Sequence, residues 1–182
     1  IVPLTLNEDL NIESGATFDA DGIDLTIKGD FLNSGTFTSN NNTTYFSGTS
    51  GQRLLGNTTF YNLTKTTSSE MWLADRAANI TVSNIFDMQD GTLRDSSNTV
   101  TLLGNCNFDG THMNGTLSGD GIYFNGSSEQ QLTGNGTFGK LSIDNSSGVL
   151  VPLGNDIIIT DSLKLQSGVL SIGKNLLTLT ID

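Results

Sequence analysis

The chain repeats itself. The segment YFSGTSGQRLLGNTTFYNLTKTTSS, residues 45–69, returns without a gap 78 residues later as YFNGSSEQQLTGNGTFGKLSIDNSS, residues 123–147, and 13 of the 25 positions are identical. A fixed period constrains architecture strongly, because a unit that cannot close its own core must stack on its neighbours. After a one-residue deletion the likeness continues at an offset of 77: Asn79-Ile-Thr-Val matches Asp156-Ile-Ile-Ile, and Asn98-Thr-Val-Thr-Leu matches Asn175-Leu-Leu-Thr-Leu. Asp24-Leu-Thr-Ile-Lys-Gly also matches Thr99-Val-Thr-Leu-Leu-Gly, at an offset of 75. The chain therefore reads as a partial copy (1–44), a complete copy (45–122) and most of a third (123–182).

Within each copy the apolar runs are short and alternate with period two, the pattern of strands with one buried face. Leu4-Thr-Leu, Leu25-Thr-Ile, Thr44-Tyr-Phe, Ile80-Thr-Val, Val100-Thr-Leu, Ile122-Tyr-Phe and Leu177-Thr-Leu are examples. Asp21-Gly22, Asp90-Gly91, Asp109-Gly110 and Asp120-Gly121 punctuate them as turn dipeptides. Runs recurring at about 20 residues predict a right-handed parallel β-helix, an all-β solenoid of about nine or ten coils. At about 4.8 Å per coil that gives a rod of about 45 Å. Leu25 and Ile27, Val100 and Leu102, and Leu177 and Leu179 are expected to point inward and stack, with the intervening threonines outside. The alternative is a tandem array of β-sandwiches, which the sub-period near 20 and the lack of a Cys…Trp…Cys core disfavour.

Composition excludes several functions. The formal net charge is −11, which opposes nucleic acid and anionic membrane surfaces, since both select a basic face. No apolar run approaches the ~18 residues of a membrane-spanning helix. The one cysteine, Cys106, permits no internal disulfide and is expected to act as a small core residue. Catalysis on polysaccharides requires clustered carboxylates or basic groups beside a metal. The eight basic residues read as scattered, and Asp87 and Asp90 become Lys164 and Ser167 in the next copy. No catalytic residue is therefore expected. His112, the only histidine, is expected in a loop.

The phrases YFSGTSGQRLLGNTTFYNLT and YFNGSSEQQLTGNGTFGKLSIDNSSGV resemble the repeats of long secreted surface proteins of Bacteroidota, many of them exported by the type IX system. The likeness covers most of the chain and contains no catalytic motif. It implies a right-handed β-helix in a stalk or adhesin, outside the cell or on its surface, and transfers no site residue.

Four candidate features remain. Asp19, Asp21 and Asp24 begin like a calcium loop, but the closing acidic residue is missing, and an Asp-rich turn is the favoured reading. Trp72 lies between Met71 and Leu73, so alternation sends it outward with its counterpart Leu150. An outward aromatic can stack on a sugar or anchor a partner; the equal alternative is that a neighbouring loop or the one-residue insertion tucks the ring in. Asp161-Ser162-Leu163 resembles an O-glycosylation sequon of Bacteroidota, which would modify Ser162. Asn57, Asn62, Asn125, Asn135 and Asn145 head Asn-x-Ser/Thr triplets that follow from composition. The expectation is a non-catalytic rigid stalk or filament module, without cofactor. Its expected partners are surface glycans and, because IVPLTL and LLTLTID read as uncapped strands, further covalent repeats or head-to-tail subunits. A carbohydrate-binding or lyase-like β-helix is the alternative function.

Overall fold

In a computed structural model of the chain, residues 2–117 and 120–180 are described. They form a parallel β-solenoid of about eight turns with roughly 21 residues per turn, and no helix is among them. At about 4.8 Å per turn the stack is about 38 Å long. The expected nine or ten coils become eight because some turns are long: Leu63 pairs with Phe86 and Cys106 with Leu132.

Each turn has three faces. The first carries Leu4–Leu6, Leu25–Ile27 and Thr43–Phe46, then the C-terminal halves of Thr58–Lys65 and Ile80–Met88, then Asn105–Phe108, Gln130–Thr133, Val149–Leu150 and Leu170–Ser171. The second carries Leu10–Ile12, Phe31–Asn33, Gln52–Leu55, Glu70–Leu73, Thr92–Arg94 and Thr111–Met113, then the N-terminal halves of Thr137–Asp144 and Ile157–Ser167, then Leu177–Leu179. The third begins with the paired Thr17–Asp19 and Thr36–Thr38, which lead through a Phe37–Phe60 contact (5.6 Å) to the N-terminal halves of Thr58–Lys65 and Ile80–Met88. It continues with Thr99–Leu102, Gly121–Phe124 and the C-terminal halves of Thr137–Asp144 and Ile157–Ser167. The long strands bend from one face onto the next, with register shifts between Val82 and Ile85 and between Phe138 and Lys140. Such irregularities let a strand change direction without leaving the ladder.

The three faces explain the repeat, and they correct the expected stacking. On the first face Tyr45 pairs with Thr64, Thr64 with Asp87 and Asp87 with Asn107, three full turns on. Tyr123 then lies two faces further, on the third, paired with Thr101 and Ser142. The 78-residue unit is thus three and two-thirds turns, and each copy is rotated by one face against the last. Leu25 and Ile27 accordingly lie on the first face, Val100 and Leu102 on the third, and Leu177 and Leu179 on the second. They do not stack on one another. Leu25, Ile27, Val100 and Leu102 are buried as expected, whereas Leu179 is 49% exposed. Ile181, the last residue of the expected terminal strand, lies outside the described residues.

Seven phenylalanines (Phe31, Phe46, Phe60, Phe86, Phe108, Phe124 and Phe138) are fully buried along the axis. Each contributes about 1.5–3 kcal/mol of burial. Phe108 and Phe138 lie 4.6 Å apart in successive turns. The corners are tied by polar side chains. Gln52 Oε1 accepts the Gly48 N–H (2.8 Å), while Nε2 donates to Ile27 O (3.0 Å) and Gly29 O (2.7 Å) in the preceding turn. Gln130 does the same with Gly126, Leu102 and Gly104. The repeated Gly-x-x-x-Gln of the sequence is this clamp. Asparagines and aspartates complete the corners. Asp9 Oδ1 accepts the Asp30 N–H and Asp30 Oδ1 the Arg53 N–H. Further on, Asp109, Asn135 and Asp156 each accept the N–H of Asn135, Asp156 and Leu176 in turn. Backbone donors exposed where the strands break are satisfied by a side chain one turn below.

Candidate ligand-binding face

Trp72 stands on the outside of the second face. Its neighbours Met71 and Leu73 are fully buried, and Trp72 itself is half-buried. The register places Arg53 opposite it on one side and Arg94 on the other. The three side chains therefore form a file along the solenoid axis with the indole in the middle. A Cβ at Gly51 would lie 2.5 Å from Trp72 Cζ3, so the bare backbone of Gly51 is the surface on which the ring packs. Glu70 Oε1 accepts a hydrogen bond from Arg94 Nε at 2.6 Å. The Arg53 guanidinium has no ion pair or hydrogen bond among the described residues. The chain's third arginine, Arg76, lies in the turn after the Trp72 strand, with φ of 53° and Asp75 at 3.9 Å. In sequence the arginines look scattered because consecutive rungs are separated by a whole turn; the register assembles them.

Leu150, the counterpart of Trp72, is on the first face, between Gln131 and Ser171. Those two residues are the counterparts of Arg53 and Arg94. Glu129 stands where the first copy has Gly51, and Gly148 where it has Glu70. The second copy thus builds the same three rungs without either arginine, the indole or its glycine floor.

The other candidates have structural partners. Asp19 Oδ1 accepts hydrogen bonds from the Asp21 N–H (2.9 Å) and Asn40 Nδ2 (2.6 Å), and Asp24 Oδ1 accepts the Thr43 N–H (2.7 Å). These are corner bonds, with Asp21 itself at a positive φ of 49°. Among the described residues no three histidine, cysteine, aspartate or glutamate side chains converge as metal ligands would. Asn57 and Asn135 tie corners, and Asn145 is fully buried, donating to Ser128 O (2.7 Å) and Gln130 Oε1 (2.9 Å). Asn125 is an exposed residue in contact with Asp144 Oδ2 at 3.5 Å. Ser162 is half-buried opposite Lys140.

His112 is not in a loop. It lies in the strand Thr111–Met113, faces inward and is buried opposite Leu93. Its Nδ1 accepts the Gly139 N–H (3.3 Å), so Nε2 is the donor to Asp95 Oδ2 (3.0 Å). Asp95 Oδ1 accepts the N–H groups of Ser97 (2.9 Å) and Gly115 (2.6 Å). Both side chains of the pair are fully buried, with backbone N–H groups on His112 Nδ1 and Asp95 Oδ1. Lys65 also points inward, between Phe46 and Met88, and donates to Thr67 O (2.7 Å), Thr67 Oγ1 and Ser69 Oγ (3.0 Å). Burial lowers its pKa to about 8, against the opposing charge of Asp90. Cys106 is a buried core thiol, as expected, and burial pushes its pKa up.

No protein-family model, curated protein or solved structure matches the chain.

Proposed function

We propose that this chain is a non-catalytic structural and adhesive segment of an extracellular or cell-surface protein: a stiff spacer that presents contacts on its sides. The observation that carries this reading is where the polar chemistry goes. The clamping glutamines, most of the corner Asx residues, and His112 with Asp95 direct their hydrogen bonds from one turn to the next. Groups held this way stiffen a stack, since each turn contacts only its neighbours and stability adds along the axis. The partners in this reading are surface glycans on the lateral faces and further β-coils at the ends, covalent or from a second copy. Leu165, Val169 and Leu176 of the last turns, 57%, 65% and 63% exposed, support the latter as apolar surface suited to another coil. A carbohydrate-binding role is the second reading, favoured by the outward Trp72 between two arginines.

Small-angle scattering tests the spacer reading. It predicts a rigid particle with one stable long dimension from low to moderate denaturant, and no reducing or unsaturated sugar released from a panel of acidic and neutral polysaccharides. A particle that flexes between independent lobes, or turnover of any polysaccharide, contradicts it.

A further inference from the structure

We propose that the file Arg53–Trp72–Arg94 binds an acidic oligosaccharide, with carboxylate or sulfate groups held by the arginines and one pyranose ring lying on Trp72. This rests on the adhesive part of the reading above and names the ligand class of that contact.

The spacing suits such a ligand. The arginines are one rung to either side of the indole, so their backbones are about 10 Å apart along the axis, and a linear chain can follow the file. A guanidinium offers a planar fork of donors that matches carboxylate and sulfate oxygens, and it is less strongly hydrated than an ammonium. An indole offers a flat apolar surface to the C–H face of a sugar. The ring is already placed, because it packs on Gly51 where any side chain would collide with it. Glu70 holds Arg94 through Nε alone, which orients the guanidinium and leaves its terminal nitrogens as donors. Arg53 has no competing partner among the described residues.

The file is not a requirement of the coil. Gln131, Leu150 and Ser171 occupy the three equivalent rungs in the second copy and maintain the same parallel pairing. Both arginines, the indole, the glycine floor and the orienting glutamate are absent there together, which marks them as one functional group of residues. The surroundings also limit what binds. Asp30 precedes Arg53 in the file, Met113 follows Arg94, and the chain carries a net charge of −11. A long uniform polyanion is repelled beyond the patch, whereas a short oligosaccharide with two acidic groups around one ring is accommodated.

Trp72 is the only tryptophan, so intrinsic fluorescence reports on this site alone. The folded chain is titrated with a galacturonate oligomer, a heparin-derived oligosaccharide, a neutral β-glucan oligomer and poly-glutamate. Saturable change in Trp72 emission with one or both acidic sugars, weakened by salt, is expected, and which sugar responds distinguishes carboxylate from sulfate. Arg53→Gln and Arg94→Gln, checked by circular dichroism for an intact fold, should each raise the Kd tenfold or more. Calorimetry on Trp72→Leu, the residue of the second copy, should show no binding. No saturable response to either acidic sugar, an equal response to poly-glutamate, or Kd values unchanged by both arginine variants would each overturn the proposal. A rigid rod that binds no sugar leaves the spacer reading standing, so the two failures are distinguishable.

Discussion

Tyr45 and Tyr123 occupy the same position of the repeat and lie on different faces of the solenoid. Tyr45 is flanked by Thr26 and Thr64 on the first face, Tyr123 by Thr101 and Ser142 on the third. One sequence segment therefore folds equally well on either face. What it specifies is a local strand–corner–strand unit, and the face follows from how many such units precede it.

The Gly-x-x-x-Gln clamp is the clearest case of a repeated residue with a structural task. Gln130 is buried with its amide fully used, while Gln131 next to it is exposed. Gln130→Ala removes the side-chain donor to Gly104 O and the acceptor of the Gly126 N–H and of Asn145 Nδ2, and leaves Leu102 O with the Asn125 N–H alone; it should cost about 2–4 kcal/mol by the usual penalty for orphaned polar groups. Gln131→Ala should stay within about 0.5 kcal/mol. Chemical denaturation of the two variants makes the comparison; equal midpoints would remove the clamp from the account.

Facing is tested by Leu102→Asp and Thr101→Asp. Leu102 is buried and Thr101 points outward. An unpaired carboxylate in the core costs several kcal/mol, so the first variant should melt far below the second, which should stay close to the parent. Equal melting temperatures would contradict the assigned faces.

Alternation made the inward and outward residues legible, as at Met71, Trp72 and Leu73, because period two depends only on the strand itself. The fractional step of the repeat was not legible. A period of 78 residues fits four turns of 20 as well as three and two-thirds of 21, and the difference resides in corner bulges such as that after Val82, which leave no mark in composition. His112 was misplaced because Thr-His-Met carries no apolar alternation, although the histidine takes the inward position of its strand. Arg53 and Arg94 were missed because they approach Trp72 only through the register, 19 residues to one side and 22 to the other.

Two glycines with positive φ should respond differently to alanine. At Gly56, with φ of 89°, a Cβ would lie 1.8 Å from Asn33 O in the preceding turn. At Gly15, with φ of 82°, nothing lies within 4 Å. Gly15→Ala should cost only the backbone strain, about 1–2 kcal/mol, and Gly56→Ala should exceed it clearly because the two turns must also move apart. Similar losses in thermal unfolding would argue against the tight corner.

Lys65 gives a pH signature. Its pKa in the folded chain is about 8, below the ordinary 10.5, so between those values the unfolded chain binds more protons. Stability from this group therefore rises with pH across that window, and the penalty is fully present below about pH 8. The melting temperature of the parent relative to Lys65→Met should increase between pH 7.5 and 10. Parallel profiles for the two proteins would contradict the buried ammonium.

The most direct test of the account is which strands are neighbours around Tyr123. In a background of Cys106→Ala, the pair Thr101→Cys and Tyr123→Cys places two thiols on adjacent strands of the third face, about 4.8 Å apart along the stack and within the range a disulfide spans. The pair Asn107→Cys and Tyr123→Cys would be adjacent only if the repeat were a whole number of turns, which would put Tyr123 on the first face. Mass spectrometry after mild oxidation should find the first pair closed in the folded monomer and the second as two free thiols. Closure of the Asn107 pair with the Thr101 pair left open would contradict the rotated repeat and the three-faced register on which the Arg53–Trp72–Arg94 file depends.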